Sequence, residues 1–329
     1  RGTVARTFQV RASNGSVVRS ARAARIAPRR YRLRLVFPSV GAWSLTARVG
    51  GRTHRLGTVS VRAREYQLAS PATLLLAPGG TLLLAEGGRQ RVLRIEPSSG
   101  RASVVADGFE NPYGLAWLPT GHVVVTSRAS VYDVDPGTGT KTLLATMPSG
   151  VELGPVVVRD GYAYVGSSDS RVRRIVLAGG AVTTVAGNGV AAFSGDGGPA
   201  LEASLAVPHG LAFDLDGTLL IGDTGNDRIR RLDLAEGVIR TAYVGVEGVG
   251  TVVAAPDGSV YAGEMDAARV TRFDRSGSRT VVTSGLRIPC CMQLAGDGGL
   301  FVVDAGPGTL HRIAPDGSVT RVRVSAPST

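Results

Sequence analysis

VAGNGVAAFSGDGGPALEASLAVPHGLAFDLDGTLLIGDTGNDRIRRLDLAEGVIRTAYV, residues 185–244, is the stretch whose reading decides the fold. It contains four strand-like runs, Gly210–Phe213, Thr218–Ile221, Arg228–Leu232 and Val238–Tyr243. The dipeptides Asp216-Gly217, Gly225-Asn226 and Glu236-Gly237 punctuate them as turns. A unit of four short antiparallel strands cannot cover both of its faces, so it must stack on copies of itself.

The copies are present. The frame Pro208-His209-Gly210-Leu211…Asp216-Gly217 recurs from Pro71, Pro112, Glu152, Val249 and Pro289. The starts at 71, 112, 152, 208, 249 and 289 are spaced 41, 40, 56, 41 and 40 residues apart. The long interval holds the Gly-rich insertion Gly187–Val207. Four strands repeating about every 40 residues mark propeller blades. The predicted fold class is all-β: a small β-sandwich at 1–65 followed by a six-bladed β-propeller at 66–329. The last blade takes all its strands from the C-terminal stretch, so closure is expected by packing of blade six on blade one without a swapped strand. The GDGGP turn at Gly195–Pro199 and a short helix at Pro199–Leu205 are expected to roof part of the mouth.

The pieces Gly195-Asp196-Gly197-Gly198-Pro199-Ala200, Pro208-x-Gly210 and Asp223-x-x-Asn226-Asp227-Arg228-Ile229-Arg230 resemble an NHL repeat, a family of six-bladed propellers. The resemblance covers 71–329 and is fullest in the fourth repeat. It also implies likeness to peptidyl-hydroxyglycine amidating lyases, streptogramin lyases and gluconolactonase-like propellers. The first of these hold zinc on three His at strand starts, and only His209 matches.

Residues 1–65 read differently. Tyr31-Arg32-Leu33-Arg34-Leu35 alternates apolar and basic side chains, and Leu45, Ala47 and Val49 repeat the alternation. FPSVGAWSLTARVGG, residues 37–51, resembles the late strands of bacterial immunoglobulin-like domains, with Trp43 as a core plug. The charge is divided unevenly. This stretch holds fifteen Arg and one acid, Glu65, whereas 66–329 holds 22 basic and 25 acidic residues. Alternation alone accounts for many of these Arg as a solvated sheet face. The functional reading is an anionic envelope polymer or lipid surface. Nucleic acid is the least expected partner, since stacking needs aromatics that are scarce here.

Antiparallel order brings the starts of the inner strands and the ends of the second strands to one mouth of the channel. The starts carry Ala72, Tyr113, Leu153, His209, Gly250 and Cys290, and the ends carry Glu86, Ser127, Ser167, Asp223, Glu264 and Asp304. Tyr113, His209 and Cys290 fall on alternate blades and form the candidate catalytic set. Glu86, Asp223, Glu264 and Asp304 form the candidate ligand-binding set. His209 with Asp223, Glu264 and Asp304 forms the candidate metal set, for which Ca2+ or Mg2+ is expected ahead of zinc. The bland alternative for each acid is that it caps its own turn. Cys290-Cys291 is either a vicinal disulfide or two buried thiols. An immunoglobulin-like module ahead of a propeller points outside the cytoplasm, either secreted or in the envelope, with any signal segment lying outside this chain. The leading functional expectation is recognition of a small molecule or protein at the mouth. The alternative is a metal-assisted lyase or hydrolase at the same place.

Overall fold

The computed structural model describes residues 7–14, 18–27, 30–32, 41–49, 52–61 and 66–327. Two compact units emerge, Arg1–Arg64 and Glu65–Thr329. In the first, strands β1 (Thr7–Ser13), β2 (Val18–Ala27), β3 (Arg30–Arg32), β4 (Gly41–Val49) and β5 (Arg52–Val61) form one antiparallel sheet in the order β3-β2-β1-β4-β5. Val10 pairs with Ala47 and Ala12 with Leu45. Val10, Ala12, Trp43 and Ala47 are buried, which places Trp43 in a core as its pattern suggested. The expected inward positions Leu33 and Leu35 lie outside the described residues. The second sheet that a sandwich requires is not formed by the described residues.

The second unit is a propeller-like ring built from antiparallel four-stranded sheets, six of them among the described residues. Their inner strands are Pro71–Leu76, Pro112–Trp117, Leu153–Arg159, Pro208–Phe213, Val249–Ala254 and Pro289–Leu294. The second strands end at Glu86, Ser127, Ser167, Asp223, Glu264 and Asp304, where the repeat frame places them. These second strands are nearly continuous apolar runs, such as Leu82–Glu86 and Leu219–Asp223, because both faces are covered. Separate apolar cores fill the junctions between successive sheets. Leu83 and Ala85 pack with Leu115 and Val125 in one junction, and Leu84 and Leu93 pack with Phe301 and Val303 in the junction of the last sheet with the first. Each fully buried Leu in such a junction contributes about 2 kcal/mol of hydrophobic stabilisation.

Closure uses no exchanged strand: the last sheet comprises Pro289–Leu294, Leu300–Asp304, Thr309–Ile313 and Val319–Val322. The seam is also stitched by backbone. Tyr66 N–H donates to Val324 C=O at 2.8 Å, Leu68 N–H to Gly308 C=O at 3.1 Å, and Ser325 N–H to Gly100 C=O at 2.8 Å.

The insertion departs from expectation. Pro199–Leu205 forms turns instead of a helix. Gly197 N–H donates to Ile239 C=O at 2.8 Å, Ile239 N–H to Gly198 C=O at 3.2 Å, and Pro199 bridges Val238. The Gly197–Ala200 part of the insertion therefore lies beside the start of the outer strand of its own sheet, Val238–Val244, while Ala206 contacts Asp223 and Gly225 at the end of the second strand. The buried guanidinium of Arg230 holds it there through Asp196 at 2.8 Å and the Ser194 carbonyl at 3.2 Å.

Candidate functional site

The Pro-x-Gly pieces of the repeat build the site. Proline begins an inner strand where no ladder N–H is needed. The glycine that follows allows the next inner strand to come close. A Cβ on Gly114 would lie 2.7 Å from Val156 N, and one on Gly210 would lie 3.0 Å from Val252 N. The residue between, Tyr113 or His209, is thereby directed into the channel. Thr126 Oγ strengthens the arrangement by accepting from Gly114 N–H and donating to Gly154 C=O, both at 2.7 Å.

Tyr113 and His209 meet. Tyr113 Oη lies 2.6 Å from His209 Nε2, with the rings edge to face at 5.1 Å. His209 Nδ1 lies 3.1 Å from the Gly250 carbonyl. A carbonyl only accepts, so Nδ1 carries the proton, and Nε2 accepts from the Tyr113 hydroxyl. Both residues line a cavity of about 410 Å3 on the ring axis, to which every one of the six inner strands contributes. Burial lowers the His209 pKa below its ordinary 6.5, against a smaller opposing pull from the Gly250 carbonyl. Burial, reinforced by Cys291 and Cys290, raises the Tyr113 hydroxyl well above its ordinary value. Near neutrality the pair is therefore a neutral imidazole beside a protonated phenol. That is a base and an acid held in contact.

Cys290 lines the same cavity, and its thiol faces the carbonyls of Pro71 at 3.6 Å and Ala72 at 3.9 Å. Cys290 and Cys291 are free, buried thiols, and burial pushes the Cys291 pKa well up, with Cys290 adding to the rise. Of the other three inner starts expected at the mouth, Ala72 and Gly250 line the cavity, whereas Leu153 packs into the junction between the second and third sheets. His122 binds Asp133 and His311 contacts Thr309, so neither joins His209.

The four carboxylates correct the expectation of a ligand-binding or metal set. Glu86, Asp223, Glu264 and Asp304 are buried, and each binds a backbone N–H seventeen residues earlier. The donors are Ala69 at 2.9 Å, Ala206 at 2.6 Å, Glu247 at 3.0 Å and Arg287 at 2.9 Å. The seventeen-residue span runs from the loop entering each sheet to the end of its second strand. Each acid is thus a strut that ties the incoming chain to the blade, and Glu86 and Asp223 make no side-chain cap to their own turns. Arginines occupy most of the remaining oxygens. Glu86 pairs with Arg89 and Arg91 at 2.7 and 2.9 Å, and Glu264 pairs with Arg269 and Arg279, both at 2.8 Å. Asp223 holds Asn226 at 2.8 Å and Arg230 at 3.4 Å.

Burial would raise the Glu86 and Glu264 carboxyls, but their N–H and guanidinium partners outweigh it, and both lie below the ordinary 4.5. At Asp223 burial wins over Ala206 N–H, Asn226 and Arg230, and its pKa is raised. Among the described residues no group of three or more His, Cys, Asp or Glu side chains could hold a metal ion. His209 has its Nε2 on Tyr113, and Asp223, Glu264 and Asp304 are engaged within their own sheets. The donor set therefore does not fit Ca2+, Mg2+ or zinc. The sequence pattern missed two things: the Gly250 carbonyl that fixes the imidazole, and the arginine partners of the acids. Arg89 and Arg91, Arg230, and Arg269, three to seven positions beyond Glu86, Asp223 and Glu264, were the available signal for the latter.

Comparison with known proteins adds the following. Residues 72–306 match the model of the SMP-30/gluconolactonase/LRE-like region. No curated protein matches the chain by sequence. A protein of unknown function from Bacteroides thetaiotaomicron is similar in fold, with a TM-score of 0.62 and 13% identity over 93% of this chain and 90% of that one. Virginiamycin B lyase from Staphylococcus aureus has a TM-score of 0.59 and 13% identity over 80% of this chain and 89% of its own. Regucalcin from Agrobacterium tumefaciens, described as a calcium-binding protein, has a TM-score of 0.58 and 19% identity over 74% and 85%. At these identities the structural likeness speaks to the fold alone.

Proposed function

Because the chain belongs to the SMP-30/gluconolactonase/LRE-like family, we propose that its channel binds a small molecule and acts on it as a lactonase- or lyase-type enzyme, with His209 as general base and Tyr113 as general acid. The observation that carries this reading is the 2.6 Å contact between the Tyr113 hydroxyl and His209 Nε2. In the resting pair the phenol keeps its proton and donates it as a hydrogen bond to Nε2. A ligand oxygen that takes the phenol's hydrogen bond frees Nε2 to accept a proton from water or from carbon. Nδ1–H remains on the Gly250 carbonyl, which supports the imidazolium as it forms. The Tyr113 proton then serves the departing or developing oxygen. No step is routed through a metal, because the donor set does not fit one.

This reading supposes six blades, supported by the six sheets and the contact of the last with the first, and an NHL-like fourth repeat, supported by its motif pieces. It also supposes a chain working outside the cytoplasm whose immunoglobulin-like, Arg-rich first unit meets an anionic envelope polymer or lipid surface. The fifteen Arg of residues 1–65 support that part. The test is turnover of a panel of lactones and cyclic depsipeptides by the full chain and by His209→Gln and Tyr113→Phe, with and without EDTA. Loss of turnover in both variants, with no response to EDTA, supports the reading. Turnover that survives both variants sinks it. A channel that binds ligand but turns nothing over would favour pure recognition at the same place.

A further inference from the structure

The ring carries 22 basic and 25 acidic residues, yet no Asp, Glu, Lys or Arg side chain lines its central cavity among the described residues. The charges have been drawn off into the sheets, where struts such as Glu86–Arg91 and Glu264–Arg269 neutralise them. What remains is a two-ended channel. At the starts of the inner strands stand Tyr113 and His209. At the far ends of the same strands, about 13 Å away at the usual rise of a strand, stand Trp117 and Phe213, with Leu75 and Val157 also on the wall. The Trp117 Nε1–H is already given to the Leu76 carbonyl at 2.8 Å, so the indole offers the channel a carbon surface. The channel's other polar side chains are Thr73, Thr251 and Gln293, none of them charged.

We propose that the channel selects an uncharged ligand with an alkyl or aryl body, its oxygen function on Tyr113 and His209 and its hydrocarbon directed toward Trp117 and Phe213. This rests on the reading of the channel as the reaction site and narrows its substrate class. A carboxylate or phosphate brought to the Tyr113–His209 end would lose its hydration with no lining cation to meet it, the Arg159 guanidinium lying 5.0 Å from the Phe213 ring centroid at the far end. A polyol would exchange hydration for a few wall hydroxyls and strand-edge backbone groups. A hydrocarbon gains by leaving water. The volume of about 410 Å3 lies within the range of small-molecule sites.

The experiment uses the full chain and three probes: a ten-carbon alkyl lactone, gluconolactone, and an alkyl lactone bearing a carboxylate. Binding is read from tryptophan fluorescence. The chain has two Trp, Trp43 and Trp117, and Trp117→Phe assigns the signal to the channel. The alkyl lactone is expected to bind at least tenfold more tightly than gluconolactone, and the charged lactone to give no saturable change. Val157→Asp should weaken the alkyl lactone by tenfold or more. Should that variant fail to fold, the near-isosteric Val157→Thr should weaken it about threefold. Equal or tighter binding of gluconolactone or the charged lactone overturns the proposal, as does indifference to both wall variants. Alkyl-lactone binding without turnover supports this ligand class while removing the acid–base reading, so the two can fail separately.

Discussion

Two regions of the ring handle burial in opposite ways. At the ends of the second strands the buried groups are charged and paired. At the starts of the inner strands the half-buried groups Tyr113 and His209 are neutral and touch each other. Glu264 holds an amide, a threonine and two arginines. His209 holds one carbonyl and one phenol. The difference teaches that a carboxylate near a channel mouth is not thereby a ligand. What decides its role is the donor opposite it, here an amide seventeen residues back and a guanidinium on the next strand. A charge committed to a strut is withdrawn from chemistry, while a neutral acid–base pair keeps its protons exchangeable.

The sharpest way to break this comparison is to exchange the roles by mutation. His209→Gln is expected to lower turnover of the best lactone by 10^2- to 10^4-fold while leaving the urea midpoint nearly unmoved. A large stability loss with unchanged turnover would make His209 a strut after all. Glu264→Ala should do the reverse. Removing one partner of a buried pair strands two guanidinium groups and the Glu247 N–H, and a cost of about 3 kcal/mol is expected in denaturant unfolding, with the KM of the folded fraction unchanged.

A milder break is Asp304→Asn. Asp304 accepts from the Arg287 and Ile288 amides at 2.9 and 2.8 Å, and Asn keeps one acceptor, so about 1 kcal/mol is expected. The smallest effect, and the one that sharpens the contrast, is the pH response. The His209 pKa is lowered, so turnover should fall as pH drops, with a midpoint below 6.5. The stability His209 contributes by being buried neutral is present above 6.5 and declines over the same descent. Glu86 and Glu264, whose pKa values lie below 4.5, contribute stability that is present above 4.5 and lost only at lower pH. Two separated acid limbs in activity and unfolding profiles would support the division, and a single shared limb would contradict it.

Much of the ring was legible in the sequence because the period is covalent. Forty-residue spacing fixed where the inner strands begin and where the second strands stop, and the P-x-G frame pointed to Tyr113 and His209. Contact between these two was within reach, since they stand on neighbouring alternate repeats and flank a sheet whose inner start is the buried Leu153. The fates of the acids were not legible. They depend on which guanidinium reaches across the ladder and on how far the incoming loop runs before it meets the blade, and a one-dimensional frame carries neither. The contact of the Cys290 thiol with the Pro71 and Ala72 carbonyls crosses the seam, and the frame of a single repeat does not carry it. In the fourth repeat, Gly-rich spacing implied a short helix, while the segment forms turns and its Gly197–Ala200 part pairs with Gly237–Ile239.

The stitching between Tyr66 and Val324 carries its own consequence. Since the two ends of the ring lie a single hydrogen bond apart, the order in which the sheets are encoded is not what holds the circle. A chain rejoined there by a short linker and opened at another inter-sheet loop would present the same six junctions, with the former seam now covalent. Resistance to heat in such a rewired gene product would measure directly how much the noncovalent junction alone contributes.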